Sequence, residues 1–195
     1  MKKNKITITF NSPVVLTYVL LCFAATLLNY LTAGRSNTLL FSTYHSSLLN
    51  PLTYVRFFTH VIGHSGWEHV INNSMYLLLL GPALEEKHGS KMMITVIAVT
   101  ALVTGLVNYI FFPNIALCGA SGVVFAFILL ISFTGMNGGE VPLTFILIAV
   151  IFLGQQIYQG VFVEDNISNM AHIVGGVTGS VFGFALNRGK GRRKR

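Results

Sequence analysis

The chain has 195 residues, 53% hydrophobic and only 10% charged, with a mean hydropathy of +0.67. A soluble domain carries about 25% charged residues, so this composition excludes an ordinary water-facing surface and points to a bilayer as solvent. The net charge of +7 does not read as a nucleic-acid face, because nine of the thirteen basic residues lie at the two ends, Lys2, Lys3 and Lys5 at one and Arg188 to Arg195 at the other. That placement is the positive-inside flanking of membrane helices.

The first element follows directly. No charge occurs between Lys5 and Arg35, and residues 13–33 are about one bilayer span. The apolar stretch is too long for a signal peptide and ends in no small-x-small cleavage site, so it reads as a retained helix. Residues 34–65, with Arg35, His45, Arg56, His60 and His64 among apolar pairs such as Phe57-Phe58, predict a structured loop lying partly in the interface. A second helix is predicted over 67–86. The uncharged run 92–139 holds two spans, 92–111 and 119–136, broken at Phe112-Pro113-Asn114. After a Gly-rich turn at 135–140 come helices over 141–159 and 168–187, separated by Glu164-Asp165-Asn166. The fold class is therefore all-α integral membrane. Its single domain covers 1–187 as a compact bundle of six transmembrane helices with a structured first loop, followed by a basic cytoplasmic tail, 188–195. Six spans put both basic termini on the cytoplasmic side, with Lys87 and Lys91, and put Glu164 and Asp165 outside.

Polar groups inside spans are expensive and mark function by default. Four stand out: His69, Asn73, Ser121 and His172. The second, fourth and sixth helices all run from outside to inside, and each of the four residues lies within the first two turns or so of its helix. Three segments thus bring a serine, two histidines and an asparagine to one depth in the outer leaflet. A serine hydroxyl needs a base to take its proton, and a neutral histidine suits that role. Ser121 lies between Gly119 and Gly122, and the start of a helix offers free backbone N–H groups to an oxyanion. His69 and Asn73, four residues apart, share a helix face and can both donate to the same oxyanion. The pair Gly175 and Gly179, one turn after His172, presents a small face for close helix packing. If the sixth helix packs on the fourth, His172 approaches Ser121.

Taken together these residues resemble the rhomboid intramembrane serine proteases in their bacterial six-helix form. The likeness runs from Val55 to Gly179: His64-Ser-Gly-Trp-Glu-His69 with Asn73, Gly81-xxx-Glu85-xxx-Gly89, Gly119-Ala-Ser121-Gly122, and Ala171-His172-xx-Gly175-xxx-Gly179. The resemblance implies a Ser121–His172 dyad with no acidic third member, and an oxyanion hole from His69, Asn73 and the Ser121 backbone N–H. It implies no cofactor and no metal. It also implies transmembrane protein substrates entering sideways past the fifth helix, and a bacterial inner membrane as the setting. Two positions depart from the family: Val55 precedes Arg56 where Trp is common, leaving Arg56 in its interfacial role, and Phe125 stands where Tyr supports the histidine.

The remaining polar residues have plainer readings. His60 and His64 hydrogen-bond within the first loop, Glu85 caps or ties the cytoplasmic turn, and His88 is solvated. Gln155, Gln156 and Gln159 line a wet entrance or mark the interface. Cys22 and Cys118 form neither a disulfide framework nor a metal site. Three other classes remain in view. A catalytically silent relative that binds membrane clients lacks the serine or the base. A transporter needs polar groups through the full depth or an inverted repeat. A membrane zinc protease needs a His-Glu-x-x-His that is absent here. The oligomeric state and the substrate are not encoded in any motif.

Overall fold

In the computed structural model the backbone is described for residues 9–133, 141–162 and 166–188. The expected basic ends apart from Arg188, the Gly-rich turn at 135–140 and the Glu164-Asp165 loop lie outside these residues. The elements are α1 (Pro13–Leu31), one π-helical turn (Asn37–Phe41), α2 (Pro51–Thr59), α3 (Trp67–His88), α4 (Ser90–Phe111), α5 (Ser121–Ile131), α6 (Leu143–Phe162) and α7 (Asn166–Arg188). Among the described residues the one isolated extended pairing is a single antiparallel bridge, Thr43 with Leu117. By length and composition α1, α4 and the Asn169–Leu186 stretch of α7 are apolar and long enough to cross a membrane, while α5 and Leu143–Phe152 are shorter apolar helices. α3 is 22 residues long, but Glu68, His69, Asn72, Asn73 and Glu85 dilute its hydropathy. The molecule is an all-helical membrane bundle.

Local chemistry sets the helix ends. Pro13 opens α1, its fixed φ suited to a first helical turn. The free N–H groups that follow, on Val14 and Val15, donate to the two Glu85 carboxylate oxygens at 3.1 and 3.0 Å. Ser90 Oγ donates to the same carboxylate at 2.7 Å. Glu85 therefore ties the α3–α4 turn, as expected, and also caps α1 from 70 residues away, which no local pattern announces. His88, expected in solvent, is half-buried at the end of α3. Asn50 caps α2 by accepting from Leu52 N–H at 3.0 Å, again with Pro at the first position.

α5 is the centre of the bundle. Eight of its eleven residues are buried, and α3, α4, α6 and α7 all pack on it. It begins at Ser121 rather than at 119, and its last helical residue is Ile131 where the sequence suggested 136. Eleven residues rise only about 16 Å, roughly half a hydrocarbon core. Encasement by neighbours, not length, is what keeps this helix in the interior. The α5–α7 contact is the most extensive, and glycine makes it possible. A Cβ on Gly175 would lie 2.1 Å from the Gly122 carbonyl oxygen, and one on Gly179 2.1 Å from that of Ala126. Only backbone-to-backbone packing fits there.

The first loop is indeed structured. Arg56 is buried, its Nε donating to Leu39 O at 2.9 Å and its guanidinium sitting 4.6 Å over the Tyr44 ring. Arg56 is thus an internal strut of the loop, while Val55 beside it is exposed. His60 and His64 bond within that loop, through Nδ1 to Arg56 O at 3.1 Å and to Ile62 O at 3.0 Å, and each also reaches beyond it. His60 Nε2 pairs with Thr104 Oγ1 of α4 at 3.2 Å, and His64 Nε2 accepts from the Ala120 N–H at 3.3 Å. Both reach out because both rings are buried and the loop alone cannot satisfy two nitrogens each.

Candidate active site

The site forms where the N-terminal ends of α3, α5 and α7 meet the segment Phe112–Ala120. Ser121 is the first residue of α5, His69 and Asn73 lie in the first two turns of α3, and His172 is in the second turn of α7. The serine and His172 are both half-buried, shielded but reachable.

Gly119 is the pivot on one side. Its φ of +132° lies in a region that L side chains avoid. The position where a Cβ would sit is 2.8 Å from both Cε1 and Nε2 of His69 and 3.9 Å from Nδ2 of Asn73. The turn before Ser121 thus lies directly against the two α3 side chains that share a face. Asn73 is buried, and among the described residues its Nδ2 has no hydrogen-bond partner. A buried amide donor left unpaired is unfavourable by about 1–3 kcal/mol, and its position beside the serine turn gives it a use. His69 Nδ1 lies 3.0 Å from Ser65 Oγ, which leaves Nε2 toward Gly119.

On the other side, the Gly122–Gly175 contact brings α7 against the start of α5. The missing Cβ of Gly122 would lie 3.4 Å from Ala171 O, the residue before His172. Phe125, one turn after Ser121, stacks on the His172 imidazole with centroids 4.3 Å apart and planes 6° from parallel. Phe152 of α6 closes the stack edge-on at 5.3 Å. The ring of Phe125 therefore supplies flat support to the histidine without a hydroxyl.

The N–H groups around the serine are unequally used. Gly119 N–H donates to His60 O at 2.9 Å and Ala120 N–H to His64. Among the described residues nothing accepts from the Ser121 N–H, the first amide of α5. Three donors, Asn73 Nδ2, the Ser121 N–H and one His69 nitrogen, thus surround the turn that carries one hydroxyl, with one imidazole opposite. That set can accommodate a developing oxyanion beside a nucleophile and base.

Of the expected residues, Gly119, Gly122, Phe125, Gly175 and Gly179 all take part in these contacts. Gln155 is exposed, whereas the Gln156 and Gln159 side chains lie outside the described ones. Sequence reasoning missed His64, Ser65 and Phe152. The spacing of His60 and His64 just before His69 was the available signal for the first. An apolar groove of about 480 Å³ lies elsewhere, between α1, α4 and the end of α2. Among the described residues no three His, Cys, Asp or Glu side chains cluster to hold a metal.

Comparison with known proteins matches residues 51–189 to the Rhomboid domain. The chain is 33% identical over 141 residues to Rhomboid-related protein 1 of Caenorhabditis elegans, covering 67% of this chain and 39% of that one. It is 31% identical over 159 residues to Rhomboid-related protein 2 of Mus musculus, covering 71% and 53%. It is 31% identical over 134 residues to Rhomboid protease GlpG of Salmonella choleraesuis (strain SC-B67), covering 66% and 47%. The matched region thus spans about half or less of these relatives' length.

Proposed function

The chain belongs to the rhomboid family, and we propose on that premise that it is an intramembrane serine endopeptidase cutting transmembrane or membrane-adjacent segments of other membrane proteins. Ser121 is the nucleophile and His172 the general base, then the general acid toward the leaving amine. The observation that carries this reading is the α5–α7 seam: glycine packing at Gly122 and Gly175, with the His172 ring stacked on the residue one turn from Ser121.

The geometry suggests how the step runs. His172 takes the Ser121 proton as Oγ attacks the scissile carbonyl carbon. The carbonyl oxygen becomes an oxyanion, held by Asn73 Nδ2, the Ser121 N–H and His69 Nε2–H. Collapse of the intermediate breaks the C–N bond, and His172 returns its proton to the departing amine. Water then repeats the sequence on the acyl-enzyme. A helix hides its carbonyls in its own hydrogen bonds, so the substrate must unwind locally before it can react. Entry past α6 is consistent with the exposed apolar face of that helix, which includes Leu147, Val150 and Ile151. The proposed setting is the bacterial inner membrane, with both termini cytoplasmic and the site opening outward.

Covalent labelling with a fluorophosphonate in detergent tests the reading. Labelling of the wild type that is lost in both Ser121→Ala and His172→Ala supports a working dyad. A folded wild type that neither labels nor cleaves a panel of transmembrane segments sinks it, in favour of a silent relative that binds membrane clients.

A further inference from the structure

His64 is a buried histidine that the mechanism above does not use. Its side chain is fully enclosed, and both ring nitrogens are engaged by backbone groups. Nδ1 lies 3.0 Å from Ile62 O. A carbonyl only accepts, so Nδ1 carries the proton. Nε2 lies 3.3 Å from the Ala120 nitrogen. An amide N–H only donates, so Nε2 carries the lone pair. The two partners leave one consistent state, a neutral ring in a single tautomer. Burial also pushes the His64 pKa down, with His69 adding to the effect, so the neutral form holds at physiological pH.

The partner explains why this matters. Ala120 is the residue before Ser121 and the N-cap of α5. The peptide plane in front of it belongs to Gly119, whose φ of +132° comes without a Cβ to restrain rotation. Gly119 is anchored at its own N–H by His60 O, and the next amide is anchored by His64. The His64 ring meanwhile packs edge-on against His69, centroids 4.8 Å apart at 77°. One side chain of the first loop therefore touches both the turn that carries the serine and a ring facing that turn.

We propose that His64 is a positioning residue for acyl transfer: as a neutral, Nδ1-protonated imidazole it holds the Ala120 N–H and so fixes the direction in which Ser121 leaves the glycine turn. The proposal rests on the reading of Ser121 as nucleophile. A shift of the nucleophile by about 1 Å is enough to lower a rate about 10²-fold.

Two measurements on the full-length protein in detergent test it. In the first, histidine 15N NMR at neutral pH is expected to show an imidazole, protonated on Nδ1 and bare on Nε2, whose signal is missing in His64→Gln. A His64 ring protonated on Nε2, or averaging between tautomers, overturns the proposal. In the second, the maximal rate of fluorophosphonate labelling is compared among variants. His64→Leu, which removes both ring nitrogens, is expected to lower it about 10²-fold with half-saturation by the probe unchanged. His64→Gln places a carboxamide oxygen near the position of Nε2 and is expected to regain at least tenfold of that loss. Full-rate labelling in His64→Leu, or equal losses in the two variants at unchanged melting temperature, overturns it. If wild-type Ser121 does not label at all, the protease reading fails, and the tautomer measurement still decides whether His64 holds Ala120.

Discussion

Two ends of the same bundle treat buried polar groups in opposite ways. At the α3–α4 turn, the Glu85 carboxylate accepts from Val14 N–H, Val15 N–H and Ser90 Oγ, so the orphan amides of α1 are matched by a charge that favours a helix N-terminus. At the opposite end, where α3 and α5 begin, Asn73 Nδ2 is buried without a partner and the Ser121 N–H also lacks one among the described residues. The first arrangement is finished and serves stability. The second keeps donors in reserve, and the stability it forgoes is consistent with a site that gains its partners only when substrate is bound.

This contrast makes separable predictions. The largest effect is expected at the nucleophile: Ser121→Ala removes all fluorophosphonate labelling and peptide cleavage, while its melting temperature stays that of the wild type. Next, Asn73→Ala lowers the cleavage rate about 10²–10³-fold without loss of thermal stability, because the amide it removes is unpaired. A clear drop in melting temperature there would erase the proposed difference between the two ends. Glu85→Ala is expected to do the reverse. It leaves the α1 amides and Ser90 unmatched and destabilises by about 2 kcal/mol, read as a lower melting temperature, with residual folded protein labelling at the normal rate.

The smallest effect concerns pH. Burial pushes His60 and His64 each down to about 4, whereas an unfolded histidine titrates near ~6.5. Between these values the unfolded chain binds protons that the folded one refuses. Stability from these two groups is therefore full above pH ~6.5 and declines as pH falls toward ~4. Thermal unfolding across that window measures it. His60→Gln should flatten part of the slope, and an unchanged slope would show that the ring is not held neutral.

Much was legible beforehand for reasons that are local. Long apolar runs have few alternatives in water, so the helix at Pro13–Leu31 and the break at Phe112-Pro113 could be read directly. The helix Pro51–Thr59 inside the first loop was not read, although Pro51 after Asn50 is a helix-start pattern. The grouping of Ser121, His69, Asn73 and His172 at one end of the bundle followed from counting spans, because each is near the start of a helix that runs the same way. Their chemical roles rest on that placement together with the family likeness.

The rest depended on contacts between segments far apart in the chain. Nothing near Glu85 indicates that it caps α1, since the partners are 70 residues away. Nothing near His64 indicates Ala120, 56 residues on, and nothing next to Arg56 announces its contacts with Leu39 and Tyr44. Sequence by itself determined the apolar helices, their breaks and the four polar residues, because hydrophobicity and backbone chemistry act over a turn or two. Only the tertiary structure decided which buried polar atoms are matched and which are left waiting, because a hydrogen bond needs its partner within about 3 Å, and the packing of α3, α5 and α7 alone sets that distance.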